Sequence, residues 1–505
     1  MNENLFDRVF RDADLSRLFI ETAEGRKITY GDAVALAGKF ANLLRAKGVA
    51  PGDRVAVQTE KTPEILIFYL ACLRAGAVYL PLNTAYTLNE LAYFVGDAEP
   101  KLVVADPEKR AGLAEIAAKV GATVETMDAT GKGSLANLAA GQSREFVTVE
   151  RKGSDLAAIL YTSGTTGRSK GAMLTHDNLV SNALALVESW RFTGKDVLLH
   201  ALPIYHTHGL FVATNTVLFS GASMIFLPKF DADTVMGLLP RATVLMGVPT
   251  FYTRLVKHPG LTRPATAHMR LFVSGSAPLL AETHRAFADL TGQAILERYG
   301  MTETNMNTSN PYDGDRIAGT VGFPLPGVSV RVSNPDDGTE LPQGAIGVLE
   351  VKGPNVFSGY WRMPEKTAAE FRTDGYFITG DLGVIDQRGY VSIVGRSKDL
   401  IICGGFNVYP KEIEGEIDAL PGVDESAVIG VSHPDLGEGV VAVVVAKSPG
   451  ATSGPVILDA LKDRLARFKV PRHVAIVDDL PRNTMGKVQK NLLRDRFKDL
   501  FKVPA

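Results

Sequence analysis

The chain has 505 residues, of which 45% are hydrophobic and 22% are charged. This composition is typical of a globular protein with a large buried core and roughly two to four structural units. Its 54 basic and 56 acidic side chains give a formal net charge of −2, which excludes a general basic field for nucleic acid or an anionic membrane. An anionic ligand must therefore be held by a local site.

Cysteine usage and apolar runs indicate the compartment. Cys72 and Cys403 lie far apart in apolar sequence, so they predict neither a disulfide framework nor a zinc site. The start of the chain, MNENLFDRVF, lacks the cationic beginning and apolar segment of a signal peptide. The apolar runs are too short or too interrupted to span a bilayer. We therefore expect a cytoplasmic protein that does not bind membranes.

Apolar strands alternate with helices from residue 32 to residue 297. The predicted helices are 32–47, 63–75, 108–120 and 177–190. The predicted strands are 54–58, 77–82, 101–105, 156–160, 197–202, 223–227, 242–248, 271–274 and 294–297. This alternation is typical of parallel sheets with helices on both faces, so we predict an α/β fold with doubly wound sheets.

The segment 161–171, YTSGTTGRSKG, follows one of these predicted strands directly. Glycines let backbone N–H groups approach an anion, hydroxyls add donors, and cations neutralise charge, so the segment predicts a polyphosphate site. Its spacing differs from that of the P-loop. A flexible linker is the alternative, although linkers seldom follow a buried strand so closely. Four later turns, LPKFD, GVPTFY, SGSAPL and ERYGMTET, should converge on it at the carboxyl ends of the strands.

The residue pattern of the sequence changes after residue 313. Short β-like runs alternate with Gly-, Pro- and Asp-rich turns over 314–396, which predicts an antiparallel, barrel-like subdomain. From residue 397 a helix at 411–419, two apolar strands and a helix at 457–468 predict a small α+β unit. We therefore divide the chain into an N-terminal domain, 1–396, and a C-terminal domain, 397–505.

Seven motifs then occur in a fixed order along nearly the whole chain. They are the 161–171 segment, LPIYHTHGL, SGSAPL, ERYGMTET, TGD, GRSKD and PRNTMGKVQK. Together they resemble the acyl-adenylate-forming enzymes, which include acyl-CoA synthetases, luciferases and peptide-synthetase adenylation domains. The resemblance implies ATP, Mg²⁺ and coenzyme A as reactants and cofactor, and a mobile C-terminal domain that rotates about the hinge Lys398.

The same resemblance assigns the nucleotide site. Tyr299 would pack on the adenine, Asp381 and Arg396 would hold the ribose, and Glu303 with Thr165 would bind Mg²⁺. The ATP- or AMP-binding residues implied are Thr162, Ser163, Gly164, Thr165, Thr166, Gly167, Lys170, Ser276, Ala277, Glu297, Arg298, Tyr299, Gly300, Thr302, Asp381, Arg396 and Lys487.

Catalysis is assigned to Lys487, His206, Thr165 and Glu303 in the same way. Transfer to phosphorus needs alignment and charge neutralisation, so Lys487 suits a point charge near the α-phosphate. Acetylation of that lysine would erase the charge. Coenzyme A would contact Lys398, Gly404, Gly405 and Phe406.

The arginine at position 298 predicts which kind of acid the enzyme binds. Most relatives carry a small or neutral residue there, and a buried cation would need an anionic partner, which a dicarboxylate supplies. LPIYHTHGL, VPTFYTR and the segment from ERYGMTET onward resemble the malonyl-CoA synthetase subgroup, which predicts a malonate–CoA ligase acting through malonyl-adenylate. The residues predicted to contact the acid are Arg298, Arg254, His206, Thr207, Met306 and Ser274.

The sequence leaves several alternatives open. Arg298 could instead form a salt bridge with Glu297 or Glu303, and the His206–His208 pair could bind zinc, although no third ligand has suitable spacing. The acid could be methylmalonate, another small acid or an aryl acid. The chain could load a separate carrier protein or act as a nucleotide sensor. The protein could be a monomer or a homodimer.

Overall fold

A computed structural model describes residues 2–162, 169–403, 406–462, 464–483 and 486–501. The strands in these ranges are β1 Leu18–Thr22, β2 Lys27–Thr29, β3 Arg54–Gln58, β4 Val78–Pro81, β5 Leu102–Ala105, β6 Thr123–Thr126, β7 Leu156–Tyr161, β8 Gly171–Thr175, β9 Val197–His200, β10 Ser223–Phe226, β11 Val244–Gly247, β12 Leu271–Ser274, β13 Leu296–Met301, β14 Asn305–Ser309, β15 Phe323–Pro324, β16 Ser329–Ser333, β17 Gly347–Lys352, β18 Phe377–Ile385, β19 Val391–Arg396, β20 Ile401–Cys403, β21 Phe406–Val408, β22 Val423–His433, β23 Gly437–Ala446 and β24 His473–Val477.

The α-helices in the same ranges are α1 Leu5–Phe10, α2 Tyr30–Ala46, α3 Pro63–Arg74, α4 Leu88–Ala98, α5 Arg110–Ala118, α6 Ser134–Ala140, α7 His176–Ser189, α8 Thr214–Ser220, α9 Ala232–Leu238, α10 Pro249–Leu255, α11 Arg263–Thr266, α12 Ala281–Thr291, α13 Pro364–Ala369, α14 Pro410–Asp418, α15 Gly454–Lys462 and α16 Lys490–Phe497. None of the described helices is long and apolar enough to cross a membrane.

Two large sheets form the body of the N-terminal part. The first has the order β6-β5-β3-β4-β7-β8 and is parallel except for β8. The second has the order β15-β14-β13-β12-β11-β9-β10-β1-β2, with parallel pairing from β13 to β1. One continuous apolar core contains residues of both sheets and of α3, which is buried from Ile65 to Arg74. The predicted α/β fold with large N-terminal sheets is confirmed.

Antiparallel strands follow, as the turn-rich sequence predicts. Strands β16, β17, β18 and β19 pair in sequence order over a small core of Val332, Leu349 and Val391. Register places Asp381 of β18 opposite Arg396 of β19. This pairing positions two predicted nucleotide contacts side by side.

The C-terminal part is a separate, smaller α+β layer. Its sheet has the order β21-β20-β23-β22, and β24 adds to β23 in parallel. Ile457 and Leu461 of α15 are fully buried against it. The described helix ends at Lys462, earlier than predicted, while Leu465 and Phe468 still pack on the same core. Apolar spacing located the buried face correctly and overestimated the helix length.

Candidate active site

The phosphate segment lies between two antiparallel strands. Tyr161 of β7 pairs with Gly171 of β8, and the Thr162 N–H donates to the Lys170 carbonyl at 2.9 Å. Five predicted contacts, Ser163, Gly164, Thr165, Thr166 and Gly167, lie outside the described residues. Their assignment to ATP, and that of Thr165 to Mg²⁺ and catalysis, stays a prediction.

Lys170 belongs to a charged network that the sequence did not predict. Its Nζ lies 3.0 Å from Glu370 Oε1 and 4.0 Å from the centre of the Tyr360 ring. The Tyr360 hydroxyl donates towards Glu370 at 2.6 Å and lies 3.0 Å from Glu303 Oε1. Tyr360 and Glu370 therefore connect the phosphate segment to Glu303.

Backbone pairing explains how distant residues meet there. The Trp361 N–H donates to the Gly171 carbonyl at 2.8 Å, and the Phe357 N–H donates to the Glu303 carbonyl at 2.7 Å. The segment 357–361 is thus held to β8 on one side and to the turn that carries Glu303 on the other. A sequence reading could have found only the aromatic GYW triplet at 359–361.

Glu303 is a buried carboxylate, 6% exposed. Burial raises its pKa, while Tyr360, Lys170 and Arg396 act in the opposite direction. No group of three His, Cys, Asp or Glu side chains is arranged to hold a metal in the described part of the chain. Magnesium in nucleotide sites is usually held by one or two carboxylates together with phosphates and water. The single carboxylate of Glu303 fits an ion that arrives with a nucleotide.

The predicted ribose and adenine contacts lie together. Arg396 Nε is 2.6 Å from Asp381 Oδ1, and the Tyr299 hydroxyl donates to Asp381 Oδ2. Burial and the negative Asp381 raise the pKa of Tyr299, so its hydroxyl keeps its proton. Both oxygens of Asp381 are thus engaged by protein groups.

Other nucleotide-site predictions lie around β12 and β13. Glu297 Oε1 accepts from the Gly319 N–H at 3.2 Å, and burial raises the pKa of Glu297 to about 8. Gly300 must lack a side chain, because a Cβ there would lie 1.9 Å from the Asn305 carbonyl oxygen. Ala277 and Thr302 are half-buried.

Lys487 reaches this cleft from the C-terminal layer. Its charge interacts with those of Arg396, Asp381, Glu303 and Arg298. The surrounding protein displaces water from the ammonium and lowers the pKa of Lys487 to about 8. The residue as a whole is exposed, so water moderates this effect.

Two further contacts hold the C-terminal layer in this arrangement. Gly486 lies against Thr250 at the start of α10, where an added Cβ would be 3.4 Å from the threonine methyl. Lys447 Nζ is 3.0 Å from Glu282 Oε1 in α12. The described arrangement therefore places the predicted catalytic lysine beside the predicted nucleotide contacts.

Arg298 lies in a second cluster of buried polar side chains, which we call the acid pocket because it contains predicted acid contacts. The guanidinium lies over Gly275, where an added Cβ would be 2.4 Å from Cζ. Arg298 is 4% exposed, and its Nε and Nη2 are buried without a hydrogen-bond partner. Burial lowers the pKa of Arg298 to about 9. Within the described ranges, no carboxylate pairs with this cation.

The alternative salt bridge of Arg298 is absent from the described residues for a geometric reason. Successive side chains of a strand point to opposite faces, so Glu297 faces Gly319 while Arg298 faces Gly275. Glu303 is engaged by Tyr360 instead.

The other predicted acid contacts are buried or half-buried, with one exception. Buried polar atoms without a partner are His206 Nδ1, Thr207 Oγ1, His208 Nε2 and Ser274 Oγ. His208 Nδ1 lies 3.2 Å from the Ser276 hydroxyl, and Met306 is buried beside Gly300. Burial, with repulsion from Lys487 and Arg298, lowers the pKa of His206 to about 3, so this imidazole is neutral. Arg254 is the exception, because its side chain is exposed on α10.

The predicted coenzyme A contacts are only partly described. Phe406 is 56% exposed and stacks on Phe468 with ring centres 4.7 Å apart. Lys398 follows β19, and burial lowers its pKa. Gly404 and Gly405 lie outside the described residues.

Comparison with known proteins shows the family of the chain. A model of the AMP-binding enzyme family matches residues 8–361, and a model of the AMP-binding enzyme C-terminal domain matches residues 412–487. A malonate–CoA ligase of Arabidopsis thaliana is 34% identical over 97% of this chain and 88% of its own length. A feruloyl-CoA synthase of an Amycolatopsis species is 36% identical over 94% of each chain.

A solved structure is more similar still. The crystal structure of ATP-bound MatB from Rhodopseudomonas palustris has 67% sequence identity and a TM-score of 0.98, covering 99% of this chain and 100% of that one. The family models, the curated relatives and the shared architecture agree with the order of motifs along the sequence. The chain belongs to the AMP-binding enzyme family.

Proposed function

We propose that this enzyme is an AMP-forming acid–CoA ligase that converts malonate, CoA and ATP to malonyl-CoA, AMP and diphosphate through malonyl-adenylate. The choice of acid depends on Arg298, a buried cation in which two nitrogens, Nε and Nη2, have no hydrogen-bond partner. Two relatives, from Arabidopsis thaliana and Bos taurus, are malonate–CoA ligases, which supports the same acid.

A dicarboxylate suits Arg298 for an energetic reason. Leaving a buried donor unpaired costs about 1–3 kcal/mol, and a hydrogen bond to a charged group is worth about 1.5–3 kcal/mol. One carboxylate would be activated while the other pairs with the guanidinium. A site built to bind such a group can reject an analogue that lacks it by roughly 10⁴-fold. Recognition would therefore depend on the carboxylate that does not react.

The remaining residues divide the work of adenylation. A carboxylate is a poor acyl donor. Its attack on the α-phosphate of ATP forms an acyl-adenylate, which is a better acyl donor because its leaving group is AMP. Two anions must meet in this step, so Lys487 would neutralise charge near the α-phosphate. The neutral His206 would orient the reacting carboxylate. Glu303 would hold Mg²⁺, which when bound neutralises charge on the departing diphosphate.

Thioester formation would use a second position of the C-terminal layer. Lys487 would leave the cleft as that layer turns about Lys398, and Phe406 with its neighbouring glycines would line the path of coenzyme A. The exposed Phe406 supports this proposal, since a large aromatic side chain at a surface is available for a ligand. We place the enzyme in the cytoplasm, because both of its cysteines are free and buried.

An aryl acid is the main competing substrate, since a feruloyl-CoA synthase is among the relatives. Such an acid has no second carboxylate and would leave Arg298 buried and unpaired. A nucleotide sensor would not need Glu303, Asp381 and Lys487 together. Carrier-protein loading would use the same adenylate and differs only in the thiol.

A panel of acids tests the proposal. Diphosphate release is measured with malonate, methylmalonate, succinate, acetate and ferulate at fixed ATP and coenzyme A. We expect the highest kcat/KM for malonate, with acetate and ferulate lower by at least about 100-fold. A kcat/KM for ferulate or acetate equal to that for malonate would refute the assignment of the acid. If the adenylate forms but the rate of the overall reaction does not depend on coenzyme A, the acyl group is transferred to a different acceptor.

A further inference from the structure

Lys61 is a buried cation outside the site described so far. It is 8% exposed and lies between β3 and α3, next to Thr62, which caps α3. Over the ranges that the structure describes, no carboxylate forms an ion pair with it. The N-terminus of a helix carries partial positive charge, so its neighbourhood disfavours a second cation. A lysine held there needs a compensating set of acceptors.

His200, at the end of β9, supplies two of them. Lys61 Nζ lies 2.9 Å from His200 Nδ1 and 2.9 Å from the His200 carbonyl oxygen. A third acceptor is the face of Phe226, whose ring centre is 4.2 Å from Nζ. Burial lowers the pKa of Lys61 well below its usual value. The ammonium form has three N–H donors, and the site offers an acceptor to each, which partly offsets the effect of burial.

The other side of His200 fixes its tautomer. Nε2 lies 2.9 Å from the Gly209 carbonyl oxygen. A carbonyl can only accept, so Nε2 carries the hydrogen, and Nδ1 of the neutral ring accepts from Lys61. Lys61, His200 and Gly209 therefore form one directed chain of hydrogen bonds.

Gly209 belongs to the wide helical turn His208–Ala213, which has π-type pairing. Such turns are rare and occur frequently at functional sites. The Gly209 carbonyl also accepts from Thr214 Oγ1 at 3.0 Å, and a Cβ on Gly209 would lie 2.1 Å from the Pro203 carbonyl oxygen. The turn is thus held tightly on several sides, and it begins where His206 and His208 enter the acid pocket.

We propose that Lys61 is a positioning residue that acts through His200 and the Gly209 carbonyl to fix His206 and His208 in the acid pocket. This inference rests on the proposed function for the name of the acid, but not for the chain of contacts. The network reaches Arg298, since His208 interacts electrostatically with both His200 and Arg298. The hydrogen bonds and the ring contact described for Lys61 and His200 involve none of the residues Tyr299, Asp381 and Lys170. Its loss should therefore affect the acid and spare ATP.

The test is a double-mutant cycle on the full-length enzyme. Lys61→Met, His200→Leu and the double variant are compared by diphosphate release, with malonate and ATP varied separately. Lys101→Met is the matched control, because Lys101 is an exposed lysine directly before the neighbouring strand β5. Thermal unfolding of each variant is recorded alongside.

We expect Lys61→Met to raise the KM for malonate by at least about tenfold and to leave the KM for ATP within about twofold, because small misplacements of binding groups have large effects. The double variant should lose no more than the more impaired single variant, since both residues act in one chain. Lys101→Met should match the wild type. Lys61→Gln, which keeps N–H donors in a similar volume, takes the place of Lys61→Met in the cycle if the latter does not fold.

Two results would overturn the inference. One is an unchanged KM for malonate, or an equal rise for malonate and ATP, which a general loss of structure would also produce. The other is a double variant whose loss equals the product of the two single losses, because the two residues would then act independently. If the wild type prefers an acid other than malonate, the proposed function fails, and the same cycle run with that acid still decides the role of Lys61.

Discussion

Replacing Arg298 with methionine should remove malonate activity and at the same time stabilise the free protein. The guanidinium is buried, two of its nitrogens have no partner, and burial lowers the pKa of Arg298 to about 9. Methionine fills a similar volume without a charge. Removing an uncompensated buried cation should therefore raise the midpoint of thermal unfolding, because the free enzyme no longer bears its desolvation cost.

The size of the activity loss follows from the contacts available to the acid. Nε and Nη2 can each donate one charge-assisted hydrogen bond to the second carboxylate. At about 1.5–3 kcal/mol each, their loss would cost about 3–6 kcal/mol. This corresponds to a fall of about 10²–10⁴ in kcat/KM for malonate. ATP contacts other groups, so its KM should change little.

Diphosphate release with malonate varied at saturating ATP, and the reverse, measures both constants. Arg285→Met is the matched control, since Arg285 is an exposed arginine on α12. Arg254→Met tests the other arginine predicted to contact the acid. Because Arg254 is exposed, we expect a far smaller loss of kcat/KM for malonate. An unchanged kcat/KM for malonate in Arg298→Met would refute the reasoning. A lower unfolding midpoint with equal losses for both substrates would assign Arg298 a structural role.

Two further predictions concern the nucleotide end of the cleft. Tyr360→Phe keeps the ring beside Lys170 and removes only the hydroxyl near Glu303. The Mg²⁺ concentration for half-maximal rate should therefore rise about threefold to tenfold, while metal-free ATP binding, measured by calorimetry, should stay constant. An unchanged Mg²⁺ requirement would contradict this prediction. The lowered pKa of Lys487, about 8, predicts that adenylate formation falls as the pH rises through that value, because only the ammonium can neutralise phosphate charge. Lys487→Arg should lose this limb of the pH profile, and a wild-type rate that stays level across it would show that the charge of Lys487 is not required.

The fold could be predicted because its signals are local. Strands in parallel sheets are buried on both faces, so they appear as short apolar runs, and helices end at glycine and proline. Helix α2 was predicted as 32–47 and spans Tyr30–Ala46, and α14 was predicted as 411–419 and spans Pro410–Asp418. The helix at 457–468 was the least accurate, because apolar spacing continues after the described helix has ended.

The predicted site was incomplete where it depends on contacts between distant segments. Tyr360 and Glu370 join Lys170 to Glu303 only because the segment 357–361 pairs with β8. Neither residue lies in a motif whose local chemistry indicates a function. Arg254 lies on α10 with an exposed side chain, so its contact with the acid stays a prediction.

The sequence by itself determined the reaction class, because phosphate, ribose and lysine motifs in a fixed order imply adenylation wherever the chain folds. It also predicted that Arg298 selects the acid. Only the tertiary structure decided that this arginine has no protein carboxylate among the described residues, since Glu297 points to the other face of β13 and Glu303 is engaged by Tyr360. The physical reason is that charge compensation depends on which groups are within a few ångströms in space, and residue types along a chain do not specify that distance.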